Sequence, residues 1–253
     1  MPNPRWTHDR KLAKTHLGVV GVDEAGRGCL AGPVVAGAVI LPSPFFGDAK
    51  NRKLTAEMND SKQFDEKKRE SLYSRVLELA DNKVLFGATG KASVEEIEEH
   101  NIVGATCLAM QRAMDAASCR YASLWKPELT SSMELFENNR DQGKDWIVLV
   151  DGRPMKKLPY KHAGLVKGDT KSLAIAMASM LAKVSRDRFM RELHNQFPEF
   201  GFNSNKGYGA PVHLRALREC GATEHHRPRF LRNLLSDTKN TARNQEQSQL
   251  SLL

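Results

Sequence analysis

Apolar residues fall into short runs and longer periodic stretches, and their spacing sorts the chain into strands and helices. Residues 17–22 form a β-branched run that stops at Asp23 and predicts a buried strand. Residues 34–41, bounded by Gly32-Pro33 and Pro42, predict a second strand, and residues 84–89 a third. Over residues 66–79, Leu72, Val76 and Leu79 share one helical face. Ser93, followed three residues on by Glu96, is a capping-box signature, and the helical pattern continues over 94–117. Residues 146–150 (WIVLV) are a continuous apolar run ending at Asp151-Gly152, which predicts a strand covered on both faces. A further short strand is expected at 164–166 and a long Ala- and Met-rich helix at 172–197. Pro211 suits the first turn of a later helix that stops at Gly221. Strands followed by strands mixed with helices imply an α/β or α+β core with helices packed on a mixed sheet.

The remaining segments organise the chain in three parts: a basic N-terminal segment (1–16), a folded unit (17–235) and a tail (236–253). Residues 126–144 are polar and weakly periodic, and read as an inserted loop. From Asp237 onward the chain is rich in Thr, Asn, Gln and Ser without a core-forming pattern, so the tail is expected to be disordered.

Composition narrows the class. At 253 residues, with 40% hydrophobic and 27% charged positions, the chain is of globular type and one or two domains long. The longest uncharged stretch, residues 28–46, is broken by Gly and Pro, unlike the ~20 apolar residues of a membrane span. Residues 1–14 carry no apolar core of a signal peptide, so a cytoplasmic location is expected. Thirty-eight Lys and Arg against 30 Asp and Glu leave a net charge of +8, which points to a polyanionic partner, nucleic acid foremost. Cys29, Cys107, Cys119 and Cys220 form no C-x-x-C pair and His225-His226 are too close for helical chelation, so reduced thiols are expected rather than a zinc site.

Candidate chemistry is densest from Gly21 to Pro33, where a strand runs into Asp23 and Glu24 and then a glycine-rich turn. Neighbouring ionised carboxylates repel unless a cation sits between them, and an all-oxygen ligand set suits Mg2+ or Mn2+. Glycines let backbone N–H groups approach an anion or a sugar closely. Gly26-x-Gly28 followed by Gly32 is one residue out of step with a dinucleotide fingerprint. Asp151 ends an apolar strand, where ligand-binding acids commonly sit, although Asp-Gly also marks turns. Asp187 lies in Lys183-Val-Ser-Arg-Asp-Arg, where a surface pair with Lys183 at i,i+4 is the plain alternative.

Taken in order, these pieces resemble ribonuclease H type 2, in its bacterial form ribonuclease HII. The resemblance runs through Gly21–Pro33, Asn59-Asp-Ser-Lys62 with Lys68-Arg-Glu70, Asn101-Ile102 with Ala109-Met110, and Val150-Asp-Gly152. It continues in Lys167-Gly168-Asp169, Ala182–Arg188, Lys206-Gly-Tyr-Gly209 and His226-Arg227. It implies an RNase H-like five-stranded mixed sheet flanked by helices, with a helical C-terminal part closing over the substrate groove. It also implies an endoribonuclease that cuts the RNA strand of RNA–DNA hybrids, and DNA at embedded ribonucleotides, leaving 5′-phosphate and 3′-hydroxyl ends. Asp23, Glu24, Asp151 and Asp187 fall on the four metal-binding acids, which would hold two Mg2+ or Mn2+ ions. Gly26, Arg27 and Gly28 fall on the turn that senses the ribonucleotide, and Tyr208 on the tyrosine that stacks on the following sugar. Lys62 and Lys206 are the candidate phosphate contacts.

Several positions depart from the pattern. Cys29 replaces a proline, and Phe64 and Glu98 stand where leucine and aspartate are common. Ala210 replaces a threonine before Pro211, removing a cap oxygen worth about 1 kcal/mol. The alternatives are a ribonuclease HIII-like enzyme, which needs several ribonucleotides in a row, and a non-catalytic nucleic-acid-binding protein of the same fold. Gly26-Arg27-Gly28 with Tyr208 favours type 2, and four retained acids favour an enzyme. The final residues, Gln249, Leu250, Ser251, Leu252 and Leu253, resemble the short peptide by which bacterial replication proteins bind the sliding clamp. A monomer without membrane contact is expected.

Overall fold

The computed structural model describes residues 3–120, 124–130 and 145–232. In chain order its elements are α1 (Pro4–Leu12), β1 (Gly18–Ala25), β2 (Val34–Pro42), α2 (Ala49–Leu54), α3 (Glu66–Asp81), β3 (Phe86–Ala92), α4 (Val94–Arg120), β4 (Trp146–Asp151), β5 (Ala163–Leu165), α5 (Leu173–Gln196), α6 (Phe202–Asn205) and α7 (Pro211–Glu219). The strands form one mixed sheet in the order β3-β2-β1-β4-β5. β1 runs antiparallel to β2, which runs antiparallel to β3; β4 is parallel to both β1 and β5.

Period-2 alternation sends the sheet's side chains to two separate cores. Val19, Val39, Leu41 and Leu149 pack against α5, α3 and α1 on one face, while Val20, Val22, Ala36, Ala38, Val148 and Val150 pack against α4 on the other. A Cβ at Gly21 would lie 2.2 Å from the Ala174 carbonyl carbon, so only glycine lets α5 lie this close to β1. A third, C-terminal core gathers Met190, Leu193, Phe200, Phe202, Ala216 and Leu217 around Ala31.

The capping box forms as predicted: the Ser93 N–H donates to Glu96 at 2.9 Å and the Glu96 N–H to the Ser93 hydroxyl at 3.3 Å. The helix it starts is interrupted at Asn101 (φ 57°, ψ 170°), whose side-chain oxygen caps the second segment by accepting from the N–H groups of Val103 and Gly104. α7 begins at Pro211 with no side-chain cap from Ala210.

The N-terminal segment is part of the folded unit. Trp6 packs against Phe45 and Phe46 in the first core, and the fully buried Asp9 carboxylate accepts from the Ser172 hydroxyl and the Ala174 N–H, both at 2.9 Å. Asp9 thus caps the start of α5, where a negative charge also meets the positive end of the helix dipole. Residues 131–144 of the inserted loop and the tail from 233 onward, with Gln249–Leu253, lie outside the described residues.

Candidate active site

β1 continues through both of its acids, so Asp23 and Glu24 leave the strand on opposite faces. Asp23 points toward α5 and is 6% exposed; it accepts from the Glu24 N–H at 2.7 Å and from the Ser179 hydroxyl. Ser179 is also 3.0 Å from Ser61, which ties the Asn59–Lys62 motif to the same spot. In the neighbouring strand, Asp151 lies one residue beyond the Val22–Val150 pair, beside Asp23. Its Oδ1 accepts from the Gly168 N–H at 2.6 Å. The next residue, Asp169, is buried, and its carboxylate lies 3.9 Å from the Lys62 ammonium.

These acids feel one another. Burial raises the Asp23 carboxyl well above the ordinary carboxylate value, and Glu24 and Asp151 add to the rise. Glu24 is also raised by burial, with Arg27 opposing and Asp151 reinforcing. Asp169 is raised by burial and then by Asp151 and Asp60, with Lys62 opposing. Desolvation works against the Lys62 ammonium, but Asp60, Asp169, Asp23 and Asp151 together raise its pKa. Among the described residues no three His, Cys, Asp or Glu side chains close on a common ligand point. The donor set nevertheless fits a hard divalent cation: oxygen only, clustered, and carrying negative charge that Lys62, Arg27 and Arg5 offset only in part.

Asp187 does not join this group. It is buried on α5, but eight residues beyond Ser179, or about 12 Å along the helix. Its Oδ1 accepts from the Lys183 ammonium at 2.7 Å and its Oδ2 lies 3.8 Å from the Arg69 guanidinium. The expected fourth acid is therefore an internal ion pair, and Asp169 takes its place beside Asp151. The signal was present in Lys167-Gly168-Asp169, a small-residue turn directly before α5.

The glycine turn follows β1 directly. Gly26 has φ +96°, and a Cβ there would lie 2.0 Å from the Arg186 guanidinium, so the position requires glycine. Arg186 and Arg227, both fully buried, support the turn through carbonyls alone: Arg186 donates to Pro33, Lys206 and Ala31, Arg227 to Gly32 and Arg27. Arg27 pairs with Glu24 at 3.1 Å, and Gly28 borders open space. Tyr208 stands half exposed beside the turn; burial and the Cys29 thiol that it meets raise its phenol pKa, with Arg186 and Lys62 opposing. Lys62 reaches into solvent at the edge of the acids, where a phosphate contact is open to it. Lys206 does not. It is 7% exposed and left-handed (φ 50°), with its ammonium donating to the Asn203 carbonyl and 3.8 Å from Glu66. Its contacts lie within the protein, around the turn that leads into Tyr208.

The family model described as Ribonuclease HII matches residues 20–234, spanning every one of these acids, the glycine turn and Tyr208. The chain belongs to the ribonuclease HII family. A ribonuclease HII of Fusobacterium nucleatum is 41% identical over 237 residues, covering 93% of this chain and 94% of its own length. A ribonuclease HII of Archaeoglobus fulgidus, solved in a complex with PCNA, shares the fold at TM-score 0.57 and 24% identity, over 83% of this chain and 94% of its own. Bst-RNase HIII, solved in complex with Mn2+, shares it at TM-score 0.55 and 18% identity, over 83% and 66%. Likeness to ribonuclease HIII is thus one of fold alone, while family and sequence relatives are ribonuclease HII. The protein is an endoribonuclease acting on RNA–DNA hybrids. Among the described residues no helix is long and apolar enough to cross a membrane.

Proposed function

We propose that this ribonuclease HII also cuts duplex DNA at single embedded ribonucleotides, in a reaction dependent on Mg2+ or Mn2+, leaving 5′-phosphate and 3′-hydroxyl ends. The observation that carries the reading is the chain of interacting carboxylates centred on Asp151, which acts on Asp23, Glu24 and Asp169, beside a backbone turn held open by Gly26. These four carboxylates would hold the cations, which when bound supply an activated water and charge stabilisation at the leaving oxygen. Lys62 stands at the Asp169 side of the cluster, where it would orient the scissile phosphate. Backbone groups of Gly26, Arg27 and Gly28 would meet the 2′-hydroxyl, the group that distinguishes RNA from DNA. Tyr208 offers a half-exposed ring for stacking on the sugar that follows.

A labelled DNA duplex with one ribonucleotide should be cut at that residue in Mg2+ or Mn2+ and left intact in EDTA. Cleavage confined to runs of several ribonucleotides would make the specificity that of a ribonuclease HIII, and binding without cleavage would refute catalysis. Gln249, Leu250, Ser251, Leu252 and Leu253 form our proposed sliding-clamp ligand, a short Leu-rich peptide of the kind that docks in another protein's groove. Deleting these five residues should abolish binding to the cognate clamp and leave cleavage of free hybrid unchanged; equal binding of both proteins, or of neither, rejects it.

A further inference from the structure

Two buried histidines join the Tyr208 turn to the C-terminal segment. His213 on α7 and His226 are 0% and 2% exposed, and their rings sit among Phe200 and Phe202. Their Nε2 atoms are 2.9 Å apart, so they share a single proton. The other ring nitrogens determine which one carries it. His226 Nδ1 lies 3.0 Å from the backbone N–H of Thr223, a group that can only donate, so this nitrogen is bare. A neutral His226 then bears its proton on Nε2 and donates to His213. That leaves the His213 proton on Nδ1, 2.8 Å from the Tyr208 carbonyl, which can only accept. Both ends of the chain require the same assignment. The bonds run one way, from the Thr223 N–H through His226 and His213 to the Tyr208 carbonyl. Burial lowers the pKa of both rings, and with His213 beside it His226 falls to about 4, so the pair stays neutral.

The same segment also grips the glycine turn. The Gly32 N–H donates to the His225 carbonyl and the Arg227 N–H to the Leu30 carbonyl, both at 2.8 Å, and Arg227 holds the carbonyls of Gly32 and Arg27. Residues 223–227 therefore touch both halves of the reading surface, the turn through backbone and guanidinium, Tyr208 through the histidine relay.

We propose that His213 and His226 are positioning residues that fix Tyr208 against the Gly26–Gly28 turn, and so set how selectively the enzyme reads an RNA–DNA junction. This rests on the assignment of Tyr208 and the turn to junction reading. The two ends of the His213 ring can be separated by substitution. His213→Gln keeps an amide near the Nε2 position facing His226 but has no donor for the Tyr208 carbonyl; His213→Asn places an amide nitrogen near the Nδ1 position and restores that donor. The readout is the ratio of kcat/KM on a single-ribonucleotide duplex to kcat/KM on a uniform hybrid. His213→Gln should lower this ratio by about tenfold or more, His213→Asn should recover most of it, and His213→Gln should change nothing further in a Tyr208→Ala background. Equal losses on both substrates, or a His213 effect that persists without the Tyr208 ring, would overturn the relay while leaving the role of Tyr208 standing. A Tyr208→Ala variant with an unaltered ratio would remove the junction reading and the relay with it. Nitrogen-15 spectra of the unsubstituted protein at neutral pH give a check that no variant can compromise. Protons on His213 Nδ1 and His226 Nε2 are expected, and the opposite tautomers would refute the relay.

Discussion

Asp169→Asn and Asp187→Asn should dissociate catalysis from stability. Burial raises the pKa of Asp169 and the nearby Asp151 and Asp60 carboxylates add to the rise, whereas Asp187 is held by Lys183 at 2.7 Å and Arg69 at 3.8 Å. Asparagine at 187 keeps the shape and an acceptor oxygen but loses the charge in a charge-assisted bond worth about 1.5–3 kcal/mol. The Lys183 and Arg69 side chains are 22% and 15% exposed, so water can partly reclaim them, and the loss should fall near the lower limit. At about 1–2 kcal/mol, the melting temperature of a protein this size drops by roughly 2–8 °C. Activity below that melting point should stay within a few-fold of the unsubstituted protein. For Asp169, losing about 3 kcal/mol of the several that a bound cation contributes to the transition state slows cleavage about 150-fold. Its metal-free melting temperature should not fall, because one of several crowded like charges has gone. Thermal melts in EDTA and single-turnover cleavage of a hybrid measure the two quantities. Loss of cleavage in Asp187→Asn, with Asp169→Asn active, would return the fourth position to Asp187.

Three further outcomes are expected. Gly26→Ala must hold a side chain at φ +96° and displace Arg186 from the Pro33 carbonyl, so a penalty of about 2–4 kcal/mol should appear in thermal melts; an unchanged melting temperature would refute the assigned turn geometry. Asp9→Ala leaves the Ser172 hydroxyl and the Ala174 N–H without a partner and should cost about 2 kcal/mol by the same measurement; a neutral effect would refute the cap on α5. Because the folded protein raises the pKa of Asp23, that carboxyl costs stability once pH climbs through its raised value, and the cost fades as pH falls toward the ordinary carboxylate range. In EDTA, Asp23→Asn should therefore melt higher than the unsubstituted protein at pH 8, with the gap narrowing at pH 5. The opposite trend from His226, held near 4, cancels in that difference, and a gap independent of pH would refute the coupling.

How far the site was legible in the sequence varied with how local its cause was. The apolar run before Asp23, the run before Asp151 and the Ser93–Glu96 box each carry their own signal, and β1, β4 and α4 form where those signals lie. Choosing between Asp169 and Asp187 needed something nonlocal: that Ser179, and not residue 187, is the part of α5 that meets Asp23. Lys206 misleads for a similar reason, since a lysine next to an exposed tyrosine looks solvent-facing until its left-handed backbone turns it inward. α1 was hidden because its faces show almost no segregation of apolar residues; Trp6 and an acid that caps another helix hold it in place.

That attachment has a consequence for how the chain assembles. Arg5 donates to the Asp169 carbonyl and Asp9 accepts from Ser172, contacts that span 164 and 163 residues. At a synthesis rate of about 5–20 residues per second, α1 waits roughly 8–30 s after it is made before the α5 part of its seat exists. Apart from Trp6 and Leu12 this helix is polar and basic, so while it waits it exposes less apolar surface than an amphipathic helix would. Once α5 arrives, Asp9 caps its first turn and Arg5 closes on the Asp169 carbonyl, so a helix made early is fully seated only late, and its seating ties down the loop that carries Asp169.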